Sequence, residues 1–136
     1  MVSINQAVAF CLVGFFLISC SDTVEDIREK AKEAYRKKDY EKARSLFEEA
    51  CQKSDGESCF FRSKCFDSGT LEEKKDLYNR SCELGYDRGC LILGFYYSMD
   101  PKRSNVLDIP KSLQYFSKGC DLGNEVACRI YKNGLK

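Results

Sequence analysis

The segment CELGYDRGC, Cys82 to Cys90, sets two cysteines eight residues apart with a glycine near the middle. The phrase recurs as CQKSDGESC, Cys51 to Cys59, and as CDLGNEVAC, Cys120 to Cys128. This spacing is neither the C-x-x-C of a redox site nor the short knuckle of a zinc ribbon, and the chain contains no histidine to complete a mixed metal site. Three occurrences of one phrase mark a repeat, so the fold is to be sought in what surrounds each copy.

What surrounds them is helical. Thr70-Leu71-Glu72-Glu73 forms a capping box ahead of a helix carrying Leu77, Tyr78 and Cys82, with Gly85 where a C-cap belongs. Asp108-Ile109-Pro110 opens a second such helix with Leu113, Phe116 and Cys120, closed by Leu122-Gly123. Shorter partners begin near Glu57, Asp87 and Asn124, just ahead of Cys59, Cys90 and Cys128. Nearer the N-terminus, Val24, Ile27, Ala31, Ala34 and Tyr35 share one helix face, while Asp26 with Lys30 and Glu33 with Lys37 sit four apart on the other. Tyr40, Ala43, Phe47 and Ala50 form the next apolar stripe and lead into Cys51. No stretch alternates as a strand would. The pattern predicts an all-α fold: three helical hairpins and a final single helix, stacked as a short solenoid of antiparallel helix pairs.

In each phrase the first cysteine falls in the last turn of one helix and the second in the first turns of the next. The next helix must fold back after a glycine-containing turn, which lets the two Cβ atoms meet. A bridge closing a nine-residue loop contributes about 2.5 kcal/mol, and three contribute on the order of 7 kcal/mol. That rivals the whole net stability of a small domain. Cys51, Cys59, Cys82, Cys90, Cys120 and Cys128 therefore read as structural disulfide cysteines, stapling a solenoid with little core per repeat. Cys65 is left over in FFRSKCF, where Phe60, Phe61 and Phe66 point to a thiol buried in helix packing. An odd cysteine leaves pairing with Cys59, with Cys51 or with another chain open. The run Phe95-Tyr96-Tyr97 reads as core and inter-repeat packing, since only part of it can face inward.

Nine cysteines in 136 residues point to an oxidising compartment. Residues 1–19 lack any charged side chain, and Ala7 to Ile18, AVAFCLVGFFLI, has the length of a signal-peptide core rather than of a membrane span. Leu17-Ile18-Ser19-Cys20 at its end resembles a bacterial lipobox. This predicts a signal peptide over 1–19, lipidation of Cys20, a tether over 20–25 and a repeat domain over 26–136. The segment MVSINQ lacks the usual Lys or Arg of a signal n-region, as a start codon set too far downstream would explain. Export as a periplasmic or outer-membrane lipoprotein, or as a secreted protein, follows as the expectation. The net charge of +1 gives no basic footprint for nucleic acid.

The stretch LGFYYSMDPKRSNVLDIPKSLQYFSKGCDLGNEVAC, Leu93 to Cys128, resembles the Sel-one-like repeat. Leu93-Gly94 and Tyr97 match its first helix. Lys111, Tyr115-Phe116, Lys118, Cys120, Leu122-Gly123 and Ala127-Cys128 match its second helix and cysteine phrase. The C-x7-C pairs are similar to those of the cysteine-rich, Hcp-like branch of exported bacterial proteins, whose corresponding cysteines bridge neighbouring helices. The middle repeat departs from the pattern, with Arg62-Ser63 in place of Leu-Gly. Its cysteine interval is also shorter, 23 residues from Cys59 to Cys82 against 30 from Cys90 to Cys120. The first hairpin reads equally well as a tetratricopeptide unit.

Members of the Hcp-like branch are often labelled β-lactamases or penicillin-binding proteins, and the resemblance carries that label as the alternative function. No S-x-x-K, S-D-N or K-T-G occurs here, and without histidine a His-based triad or the usual metal-hydrolase ligand set has no parts. No catalytic, cofactor or metal residue is assigned. The expectation is a protein- or peptide-binding adapter that uses the concave face of the stack. The long loop MDPKRSNVLDIP, with Lys102 and Arg103, is a candidate place for partner contacts.

Overall fold

The computed structural model describes residues 22–65, 69–99 and 107–134. The segment 1–19, Cys20, Lys102 and Arg103 lie outside these described residues. Among the described residues seven helices run in order: α1 (Val24–Arg36), α2 (Tyr40–Gln52), α3 (Gly56–Lys64), α4 (Leu71–Glu83), α5 (Asp87–Tyr97), α6 (Ile109–Asp121) and α7 (Glu125–Asn133). There is no strand among the described residues. Each helix packs on the next, and α3 with α5, and α5 with α7, also meet directly. The result is three antiparallel pairs in series, with α7 covering the last.

The chain enters these helices through strong caps. Thr23 and Thr70 each accept from the N–H three residues on, while Asp26 and Glu73 reach back to the cap residues, so both form complete capping boxes. Helix α1 begins at Val24, inside the stretch assigned by sequence to a tether. Because the Asp26 carboxylate is engaged by Thr23, Lys30 pairs with Asp22 at 2.6 Å instead of with Asp26. Glu33 and Lys37 do pair, also at 2.6 Å.

Four turns of one design reverse the chain. In each, a residue in the left-handed region follows the C-cap: Lys38 (φ 62°), Ser54 (φ 69°), Gly85 (φ 84°) and Gly123 (φ 93°). The next N–H then bonds back five residues, from Asp39 to Ala34, Asp55 to Ala50, Tyr86 to Ser81 and Asn124 to Gly119. That same residue is the N-cap of the following helix, so one turn ends a helix and starts its partner. In CQKSDGESC the glycine is not the turn residue. Ser54 takes the left-handed position, and Gly56 opens α3 where a Cβ would come within 3.0 Å of Leu84 Cβ and the Ser81 carbonyl. Gly56 thus serves the close contact of α3 with the end of α4 and the turn into α5.

The turn design fixes the cysteines. One lies two residues before the C-cap and the other four after the N-cap, and bridges join Cys51 to Cys59, Cys82 to Cys90 and Cys120 to Cys128. At the first turn the same two places hold Tyr35 and Ala43, so no bridge closes the α1–α2 hairpin. Cys65 is buried with Ala31, Ala34, Ala43 and Phe47, and Phe61 packs against that cluster. Phe47 and Phe61 stack at 5.5 Å.

Candidate partner-binding surface

The first helices of the pairs, α1, α3 and α5, together with α7, form one row. Equivalent surface positions along it can be matched by counting from each N-cap: Thr23, Asp55, Tyr86 and Asn124. The row changes character along its length.

Over α1 and α3 it is closed by internal ion pairs. Arg28 Nη1 donates to Asp55 Oδ1 at 2.8 Å and its Nε lies 3.4 Å from Glu57. Lys32 Nζ reaches Glu57 at 2.9 Å and Glu29 at 3.1 Å. Asp55 also caps α3 by accepting from the Ser58 N–H. Partial burial opposes the charge on Arg28, but Asp55 and Glu57 outweigh it and raise the guanidinium's pKa. Burial likewise opposes the charge on Lys32, and its bonds to Glu57 and Glu29 raise its pKa. These groups are occupied in fastening α1, which carries no bridge, to the start of α3.

Over α5 and α7 the row is apolar and open. Gly89, Cys90, Leu93, Gly94 and Tyr96 are buried, which turns Arg88, Leu91, Ile92 and Phe95 outward. Phe95 is 40% exposed even though its edge meets Phe116. On α7 only Ala127 is buried, leaving Val126, Arg129 and Ile130 on the side that corresponds to Arg88, Leu91 and Ile92. Helices α5 and α7 touch, and Asn124 Nδ2 donates to Asp87 Oδ2 at 2.7 Å, so their first turns share one level.

Three tyrosines of this half, Tyr96, Tyr97 and Tyr115, are committed to packing, while Tyr131 is exposed. Tyr97 stacks on Tyr115 at 5.5 Å, under Lys111 Nζ at 4.3 Å from the Tyr97 ring. The Tyr115 hydroxyl donates to Asn79 Oδ1, tying α6 to α4. The Tyr96 hydroxyl donates to Glu72, which also pairs with Lys75. Of the run Phe95-Tyr96-Tyr97, then, the two tyrosines pack and Phe95 stays at the surface. Two open depressions, of about 580 and 660 Å³, lie at the two ends of the stack, on α6 with α7 and on α1 with α2. Among the described residues no group of three or more His, Cys, Asp or Glu side chains could hold a metal ion, and no helix is long and apolar enough to cross a membrane.

Helicobacter pylori cysteine rich protein B matches at a TM-score of 0.59 and 25% identity, over 80% of this chain and 98% of that one. No protein-family model matches the sequence, and no curated protein matches it. The fold fits the Sel-one-like repeat. Helix pairs in series with a bridge at three turns make this a disulfide-stabilised repeat protein. The outward row was invisible to sequence reasoning because its members look like ordinary amphipathic-helix residues. The signal was an arginine on each helix, Arg88 and Arg129, on the same face as outward apolar residues.

Proposed function

We propose that the chain is an exported protein- or peptide-binding adapter of the bacterial envelope, processed after residue 19 and held at the membrane by a lipid on Cys20. The observation that carries this reading is the continuous row of first helices, held in shape by bridges at three of the four turns. A preformed surface loses little conformational freedom on binding, which favours recognition. The bridges and the cysteine-rich neighbour support an oxidising compartment. The Leu17-Ile18-Ser19-Cys20 stretch supports the anchor. Residues 20–23 then serve as the tether, and Lys102 and Arg103 add charge at the rim of the bound partner.

The test is a pull-down of the mature protein from its own envelope, beside an assay with a chromogenic β-lactam. A reproducible partner, lost when the bridges are reduced, and turnover no faster than a mock preparation are the expected results. Turnover that copurifies through a second column and vanishes on a point substitution would replace the adapter with a hydrolase.

A further inference from the structure

Along the row of first helices, charge is handled in two ways. Arg28 and Lys32 meet carboxylates of their own chain. Arg88 and Arg129, both exposed, form no ion pair with any described residue. On the same helix faces lie Ile92 and Ile130, half-buried, and Phe95 and Val126, 40% and 37% exposed. The nearest carboxylate on α5, Asp87, is engaged by Asn124. Resting on the adapter reading, we propose that the α5–α7 stripe is the docking site and that its occupant is an acidic, apolar segment of another protein. Its carboxylates meet Arg88 and Arg129, and its apolar side chains cover Ile92, Phe95, Val126 and Ile130.

Charge complementarity selects this occupant. Guanidinium groups take carboxylates in paired hydrogen bonds, and arginine beside exposed apolar side chains is the usual composition of a protein-binding centre. An anionic bilayer would call for a broad basic face, and a chain of net charge +1 whose stripe holds two cations does not present one. A second copy would bring one two-cation stripe against another, so the interface would gather four guanidinium groups.

The probe is a fluorescein-labelled synthetic peptide of alternating Glu and Leu, measured by anisotropy against the oxidised protein beside its Lys–Leu counterpart. The Glu peptide is expected to bind about ten-fold or more tighter than the Lys peptide, a difference of about 1.4 kcal/mol. Arg88→Glu with Arg129→Glu should reverse that preference, and Ile92→Ser with Val126→Ser should weaken both peptides. Lys42→Glu, at the other end of the stack, should change neither. Equal binding of the two peptides, no binding of either, or indifference to the arginine reversal overturns the proposal. Co-sedimentation with phosphatidylglycerol vesicles that is lost on the arginine reversal, or a concentration-dependent dimer lost with Ile92→Ser, overturns it in favour of a membrane or a second copy. An envelope partner still captured by the Arg88→Glu, Arg129→Glu protein rejects the stripe while leaving the adapter in place.

Discussion

Gly94 has no side chain because the ring of Phe116 fills the space: a Cβ would stand 2.5 Å from Phe116 Cε1. The approach is fixed by Ser112, whose Oγ donates to the Gly94 carbonyl at 2.7 Å, and the same device joins Ser81 Oγ to the Gly56 carbonyl at 2.8 Å. Alanine at position 94 gains about 1 kcal/mol of helix propensity but must displace a buried ring at a cost of about 1–3 kcal/mol. Gly94→Ala should therefore destabilise in a urea titration, by about 1 kcal/mol net, and a more stable variant would contradict the close crossing. Gly123 isolates the conformational effect, since φ is 93° and nothing lies within 4 Å of its added Cβ. Gly123→Ala should cost about 1 kcal/mol with no packing contribution. Residue by residue, legibility was uneven. Leu93-Gly94 and Tyr115-Phe116 stood out as motif positions, yet periodicity does not say that Gly94 faces Phe116 or that Tyr97 stacks on Tyr115. Gly56 looked like a turn glycine because its neighbours Ser54 and Asp55 are themselves turn formers, and Ser54 took the left-handed place.

At the scale of the helices, caps and bridges act on different states. The carboxylates of Asp26 and Glu73 are held below their ordinary values of 3.8 and 4.5, the first mainly by the Thr23 hydroxyl and the second by the Thr70 N–H and hydroxyl. A lowered folded pKa contributes stability above the unfolded value and loses it as pH falls through the folded one. The melting point should fall on acidification below about pH 4, and Glu73→Gln should flatten that limb. An unchanged acid limb would mean the capping box contributes nothing. The bridges work chiefly through the unfolded chain: replacing Cys120 and Cys128 by alanine together should cost about 2.5 kcal/mol without loss of helix content at low temperature. Helix existence was legible because capping signals and apolar spacing agree at most starts; α5 follows Tyr86, which supplies no side-chain cap. The Lys30–Asp22 pair was not, because choosing between Asp22 and Asp26 requires knowing that the capping box engages Asp26.

Across the whole molecule, three of four turns are bridged and the first is not, so stability is distributed unevenly. Tyr35 and Ala43 stand where cysteines stand elsewhere, and α1 is fastened to α3 through Arg28, Lys32, Asp55 and Glu57. In native-state hydrogen exchange the amides of α1 should open most readily, and reduction should lower protection in α3 to α7 far more than in α1. Equal loss throughout would show that the stack opens only as one unit. The repeat architecture was legible from the recurring cysteine phrase. Which surface stays open was not, because it depends on how successive pairs turn their first helices to one side. The central claim, a stapled repeat made in an oxidising compartment, is tested most directly by non-reducing peptide mapping of the protein recovered from its own cells. The predicted result is Cys51 with Cys59, Cys82 with Cys90 and Cys120 with Cys128, and no bridge at Cys65; free thiols in those six, or a bridge between different phrases, would contradict it.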